Sequence, residues 1–224
     1  SNSKNIVFNT VRPNESVGEK IYILNEGDKP VTVRLGKTPA YLTADLTTDI
    51  LKTGQTGEIN LVLQAKEAKR KGRINTELVV ITEAEGEKAV SGSINIAANL
   101  IDDFSKITSS DKAKAPIAQL SGTILDFGKL PEKGGIIPLI GGKVSGTVEI
   151  TNTGKTPLLI YSAGSDNDMI EVSGGKKEIK SGSSATFKVS LRPRDIKTKL
   201  DAVVTVVCND PNGPVRLIKV TAEK

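Results

Sequence analysis

A chain of 224 residues without a single histidine lacks the commonest general base, the usual Ser-His-Asp arrangement and most zinc sites. Its one cysteine, Cys208, has no imidazole to activate it as a nucleophile and no second thiol for an internal disulfide. Asp126-Phe127-Gly128 spells the kinase metal-binding tripeptide. No phosphate-covering glycine loop, catalytic loop or helical lobe accompanies it, so it reads as a strand end or chance. Gly134-Gly135 and Gly141-Gly142 lie in no strand-to-helix phosphate cradle and fit an elongated surface loop. Two oxygen-rich clusters remain, Asp166-Asn167-Asp168 and Asn209-Asp210-Pro211-Asn212. Calcium gathers roughly six to eight oxygens, more than either loop clearly supplies, and turn formation is the better reading of both. No catalytic, cofactor-binding or metal-binding residue is nominated, and no cofactor is expected.

The elements around these residues are strands. Alternating apolar residues recur at Ile21 and Ile23, at Val31, Val33 and Leu35, at Ile59, Leu61 and Leu63, and at Phe187, Val189 and Leu191. Strict alternation means one buried and one wet face, the pattern of an antiparallel sheet. The chain also repeats itself. Ile23-Leu24-Asn25-Glu26-Gly27-Asp28-Lys29-Pro30 returns as Ile150-Thr151-Asn152-Thr153-Gly154-Lys155-Thr156-Pro157, and Thr53-Gly54 as Ser181-Gly182. Phe8 matches Phe127, and the apolar runs pair Val79 and Ile81 with Val206 and Cys208, which points Cys208 inward. A repeat of this length is a duplicated domain, far longer than the ~20–50 residues of a solenoid unit. About seven short strands per copy, separated by Gly- and Asn-bearing turns, read as a sandwich.

The expected fold is therefore all-β, two tandem immunoglobulin-like antiparallel β-sandwiches at residues 1–101 and 119–224, with 102–118 as a polar linker containing one helical turn. Aromatics are only 3% with no Trp, so the cores must rest on Val, Ile, Leu and Ala. The formal charge of +5 is spread through 26 acidic residues, and the densest basic run, Lys66 to Arg73, reads as a solvated hairpin loop. Without interleaved aromatics or a recognition helix, nucleic acid is not an expected partner. No apolar stretch reaches the ~20 residues of a membrane helix. Ser1-Asn2-Ser3 reads as a remnant of cloning, so a trimmed N-terminus is expected. Asn14-Glu15-Ser16 is a glycosylation sequon, relevant only in a eukaryotic secretory setting. Ile136-Ile137-Pro138-Leu139-Ile140 is either an exposed contact patch or, preferably, a plug over the end of its own sandwich or against the first domain.

Leu125-Asp126-Phe127-Gly128-Lys129-Leu130, Val148 through Ile160, Ile179-Lys180-Ser181-Gly182 and Thr205 through Pro211 together resemble the bacterial domain-of-unknown-function family 1573. That family is an ASH-type immunoglobulin-like domain related to major sperm protein folds. The first copy resembles the degenerate middle domain of multi-domain members, through Pro39-Ala40-Tyr41-Leu42-Thr43 and Asp103-Phe104-Ser105-Lys106. Typical members carry a Cys-Gly-Cys segment where this chain reads Tyr161 to Asp168, so no metal or redox role transfers. The resemblance implies a Gram-negative exported protein, periplasmic or on the cell surface, with a signal peptide, and room for another domain, upstream of Lys4.

The resulting expectation is a non-enzymatic envelope protein, a scaffold or protein-interaction module working through edge strands and end loops, with an unidentified envelope protein as partner. Two alternatives stand beside it. A pilus-type periplasmic chaperone needs basic anchors in a cleft, for which Arg12, Arg34 and Arg192 are available. A glycan-binding module needs exposed aromatics, for which only Tyr22, Tyr41 and Tyr161 are on offer.

Overall fold

The computed structural model describes residues 4–130, 143–193 and 196–224. Two compact units are present: Ser1–Arg70 with Ile74–Leu100, and Lys71–Arg73 with Ile101–Lys224. Both are built from sheets, as the alternating pattern requires.

The first unit carries β1 (Lys4–Val11), β2 (Ser16–Leu24), β3 (Val31–Leu35), β4 (Leu42–Leu46), β5 (Ile50–Leu51), β6 (Thr56–Gln64), the single turn α1 (Ala65–Ala68), β7 (Gly72–Ala84) and β8 (Val90–Leu100). They form one sheet in the order β1-β8-β7-β3-β5 and a second in the order β2-β6-β4. The reason lies in the period of two. Along β6, Ile59, Leu61 and Leu63 are buried while Glu58, Asn60 and Val62 are half-exposed. Ile59 lies opposite Ile21 on one side and Leu46 on the other. A slip of one residue would turn this whole row outward, so the register is fixed by burial. Leu78 and Ile96 from the facing sheet close the core. Each such fully buried side chain contributes roughly 1.5–3 kcal/mol.

The second unit carries α2 (Ser109–Lys112), β9 (Ala118–Leu120), β10 (Ile124–Lys129), β11 (Val144–Asn152), β12 (Leu158–Ser165), β13 (Ile170–Gly174), β14 (Glu178–Ile179), β15 (Ser184–Leu191), β16 (Lys199–Cys208) and β17 (Val215–Glu223). Thr108 caps α2, its Oγ1 accepting from the Asp111 amide at 3.1 Å. The sheet orders are β10-β17-β16-β12-β14 and β13-β15-β11-β9. Element for element this is the first unit again, with β9 added on the outer side of β11. Phe187, Val189, Leu191 and Cys208 line its core, and Cys208 is fully buried as expected.

Three details differ from the sequence reading. Each sandwich contains one parallel pair, β1 with β8 and β10 with β17. The described residues hold eight and nine strands rather than seven per copy. The pairing of apolar runs is also displaced by one. Val33 faces Thr82 while its counterpart Ile160 faces Cys208, so Thr82 and not Ile81 corresponds to Cys208. Accordingly Leu78 and Val80 join the core, and Val79 and Ile81 are half-exposed. An unbroken apolar run has no alternation to reveal this offset. The 136–140 stretch and both Gly-Gly pairs lie outside the described residues.

Candidate functional site

The most informative geometry lies at the two Asn-x-Gly turns that end β2 and β11. Asn25 is nearly buried, and its amide Nδ2 donates to the carbonyls of Lys29 at 2.8 Å and Leu51 at 2.9 Å. Its Oδ1 accepts from the Gly27 amide at 3.0 Å. Asn152 repeats every bond: Nδ2 to the carbonyls of Thr156 at 2.8 Å and Ile179 at 2.9 Å, and Oδ1 from Gly154 at 3.0 Å. The main-chain bonds match too, with Gly54 donating to the Asn25 carbonyl and Gly182 to that of Asn152, both at 2.8 Å. Asn suits this position because its short amide mimics a turn of backbone. Gly54 and Gly182 have φ of 73° and 72°, the left-handed region that favours glycine.

Outside this shared clamp the two turns part company. In the second unit, residues 115–120 lie against the turn and run on into β9. Thr153 donates to the Ile117 carbonyl at 3.0 Å, Lys155 to that of Ala115 at 3.3 Å, and the Ile117 amide to Asn152 Oδ1 at 3.3 Å. Asp210, fully buried, accepts from the Ala118 amide at 3.0 Å and from Arg216 at 2.6 Å through one carboxylate oxygen, and from Asn212 at 2.8 Å through the other. A Cβ on Gly154 would sit 2.3 Å from the Ala115 carbonyl oxygen and 2.6 Å from Pro116 Cα. Among the described residues of the first unit, β2 is the last strand of its sheet. Gly27 is exposed, and a Cβ there would meet only Asn25 Oδ1, at 3.2 Å. Ile23 is half-exposed where its counterpart Ile150 is 1% exposed, and Leu24 and Tyr22 stand open at 51% and 63%.

The residues nominated from the sequence are dispersed. Asp126 Oδ1 accepts from Gly128 at 3.0 Å and Thr221 Oγ1 at 2.7 Å, and these bonds, the Thr221 hydroxyl first, hold its carboxyl below the usual range. Burial pushes the Cys208 thiol up to about 11. Asn209 Oδ1 accepts from Leu159 at 2.7 Å, and Asn167 Oδ1 from Met169 at 3.0 Å, so both clusters perform turn and strand-end bonding. Arg12 is ion-paired with Glu15 at 2.8 Å and Arg34 with Glu83 at 2.6 Å, while Arg192 is exposed. Tyr41 packs on the first core.

Lys66, Glu67, Lys69 and Arg70 are exposed as a solvated loop requires, but the end of the basic run is engaged. Within the second unit, Arg73 Nε donates to Asp166 Oδ1 at 2.7 Å, and its backbone amide to Ser162 Oγ at 2.8 Å. Lys71 pairs with Asp102, whose other oxygen accepts from the Tyr161 hydroxyl at 2.6 Å. Burial, then Asp102, raises the Tyr161 hydroxyl above its ordinary range. These partners lie dozens of residues away in sequence, beyond the reach of a local pattern. A groove lined by Asp102, Phe104, Ile107, Pro116, Tyr161 and Pro211 holds one hydroxyl–carboxylate pair, Tyr161 with Asp102, and that carboxylate is also ion-paired with Lys71. Among the described residues no three His, Cys, Asp or Glu side chains gather as a metal site would require.

Residues 119–223 match the model of the family described as "Protein of unknown function (DUF1573)". The second sandwich is a DUF1573 domain. No curated protein matches the sequence. A protein of unknown function from Porphyromonas gingivalis W83 is similar over 100% of this chain and 98% of its own, with a TM-score of 0.82 and 24% identity. That likeness is one of fold. The ASH/PapD-like domain 7 of human CEP192 aligns with 45% of this chain and 82% of its own, at 14% identity and a TM-score of 0.40. The Escherichia coli chaperone DraB aligns over 100% and 96%, at 15% identity and a TM-score of 0.37. At those two scores nothing about this chain rests on the likeness. Outside the DUF1573 match, the first unit shares the same clamp, turn glycines and strand order.

Proposed function

We propose that this protein is a non-enzymatic, exported cell-envelope protein that acts as a scaffold or protein-interaction module through the edges of its two sandwiches, 1–101 and 119–224. The observation that carries the reading is the edge of β2, where Tyr22 and Leu24 are exposed and no further strand pairs with it among the described residues. An edge strand left long and partly apolar is a template for another chain, since backbone pairing supplies affinity and alternate side chains supply selectivity. A second edge, β10, carries Ile124 at 65% exposure. Export is what the family resemblance implies. No helix among the described residues is long and apolar enough to cross a membrane. The non-enzymatic part is supported by the dispersal of the nominated polar residues, most of which bond within turns, at strand ends or in ion pairs.

The test is in-cell photo-cross-linking from positions 22 and 124, followed by mass spectrometry of envelope fractions. One reproducible protein partner from either position supports the module. Recovery of glycan alone, or of nothing above background, sinks it.

A further inference from the structure

We infer that the second sandwich carries a side slot between β12 and β13 that receives a leucine-sized side chain from an acidic, extended segment of a partner protein. This deepens the interaction-module reading and depends on it. The duplication shows how the slot arises. In the first unit Val33, Arg34 and Leu35 face Thr82, Ile81 and Val80, and in the second Ile160, Ser162 and Ala163 face Cys208, Val207 and Val206. Ala163 therefore stands where the first copy has Leu35, with Tyr161 as an inserted residue. On the facing sheet Leu46 lies opposite Ile59, whereas Gly174 lies opposite Phe187. Leu35 and Leu46 both pack on the first core. The second copy thus lacks two leucines, one from each sheet, at the same margin of the sandwich.

Phe187 recovers part of that space, its ring lying so close over Gly175 that a Cβ there would sit 2.2 Å from Cε1. What is left is a slot of about 290 Å³ walled by Ile160, Ala163, Val172, Gly174 and Phe187. Ligand pockets run from roughly 300 to 1,000 Å³, so this volume suits a single side chain better than a cofactor. Leucine is the natural anchor, because the first copy fills the same place with its own. The rim supplies the charge. Gly175 donates to the Thr186 carbonyl as Thr47 does to that of Glu58, and Ile160 to that of Lys177 as Val33 does to that of Asp49. Lys176 and Lys177 therefore replace Thr48 and Asp49. Both lysines are exposed, and neither is ion-paired among the described residues. A basic rim around an apolar slot selects an apolar anchor flanked by carboxylates, since opposite charge guides the encounter and the buried anchor holds it. Beyond Leu159 no strand pairs with the outer side of β12 among the described residues, which leaves Ser162–Ser165 for an extended segment to lie along.

The experiment is an amide NMR titration of the intact protein with the capped peptide Asp-Glu-Thr-Leu-Thr-Glu-Asp. The expected result is saturable shifts at Ala163, Val172, Gly174 and Gly175, lost when the peptide's leucine is replaced by alanine. Ala163→Leu restores the side chain of the first copy and should weaken binding at least about tenfold by filling the slot. Lys176→Glu with Lys177→Glu should weaken it by a smaller, salt-sensitive factor. Both lysines are exposed, so this pair keeps the test in hand if Ala163→Leu does not fold. No saturable shifts at the slot at millimolar peptide, equal shifts with the leucine and alanine peptides, or shifts unchanged in Ala163→Leu would each overturn the inference. Saturation by octanoate but not by the peptide would assign the slot to a small amphiphile and overturn the protein partner. Binding that appears only in a Leu139→Ser variant would assign it to the chain's own 136–140 stretch, with the same consequence. Silence at the slot with a partner cross-linked from position 22 or 124 removes this inference and spares the module reading; silence in both removes both.

Discussion

Asn25 and Asn152 make the same three side-chain hydrogen bonds, yet Gly27 lies open while Gly154 is pressed beneath Ala115, Pro116 and Ile117. The clamp is a local property, written into Asn-x-Gly and the strands it joins, so both copies keep it. The cover is a property of the segment that arrives from elsewhere in the chain. The largest test removes the cover's anchor. Arg216→Met leaves the fully buried Asp210 carboxylate without its cation, and breaking such a pair costs about 3–5 kcal/mol. The first sandwich, with Ala84 at that point, has no equivalent. Urea unfolding followed by thiol labelling reports the second sandwich alone, because Cys208 is buried and its thiol, pushed up to about 11, stays protonated until that unit opens. A loss under ~1 kcal/mol would mean that Asp210 is rehydrated and the anchor is weak.

Next in size is a matched pair of glycine substitutions. Gly154→Val drives a side chain into backbone atoms 2.3–2.6 Å away and should cost about 3 kcal/mol or expel residues 115–118 from the turn. Gly27→Val meets only the Asn25 side chain and should cost under about 1 kcal/mol. Equal losses in the two melts would erase the distinction between covered and open turns.

The sequence carries this comparison unevenly. The clamp was visible, since an eight-residue stretch from Ile23 recurs from Ile150 and its Asn and Gly fall in register. The inward rows Ile59-Leu61-Leu63 and Phe187-Val189-Leu191 were visible too, because half-buried strands of eight or nine residues give several periods of alternation. The cover was not. β9 has three residues, too few to show a period, and its neighbours Lys112, Lys114 and Pro116 read as linker. Its anchor lies some ninety residues downstream, in an Asn-Asp-Pro-Asn stretch that looks like any turn. The role of Asp210 follows only from burial, which no spacing rule supplies. The same holds for Arg73 and Asp166.

A smaller contrast comes from the clamps themselves. Asn25→Ala orphans the carbonyls of Lys29 and Leu51 and should cost about 2 kcal/mol. Asn152→Ala orphans those of Thr156 and Ile179 and also drops the Ile117 amide, adding about 1 kcal/mol. Parallel urea curves on the two variants measure the difference, and a larger loss at Asn25 would contradict the geometry.

The smallest effect is set by pH. Asp126, exposed on β10, occupies the position that Val7 holds on β1, so only the second sandwich has a titrating group there. The Thr221 hydroxyl and the Gly128 amide hold its folded pKa below the ordinary value. A depressed carboxylate adds stability that is complete above its unfolded pKa and is lost as pH falls through the folded one. The pairing of β10 with β17 should therefore loosen at the acid end, where that of β1 with β8 has no matching step at this position. Thr221→Val removes the stronger bond, so the Asp126 titration seen by carboxyl NMR should move up toward the ordinary range. The added acid sensitivity of the second unit should shrink with it. If the titration stays in place, the Gly128 amide alone sets the shift, and the hydroxyl contributes only to holding β10 against β17.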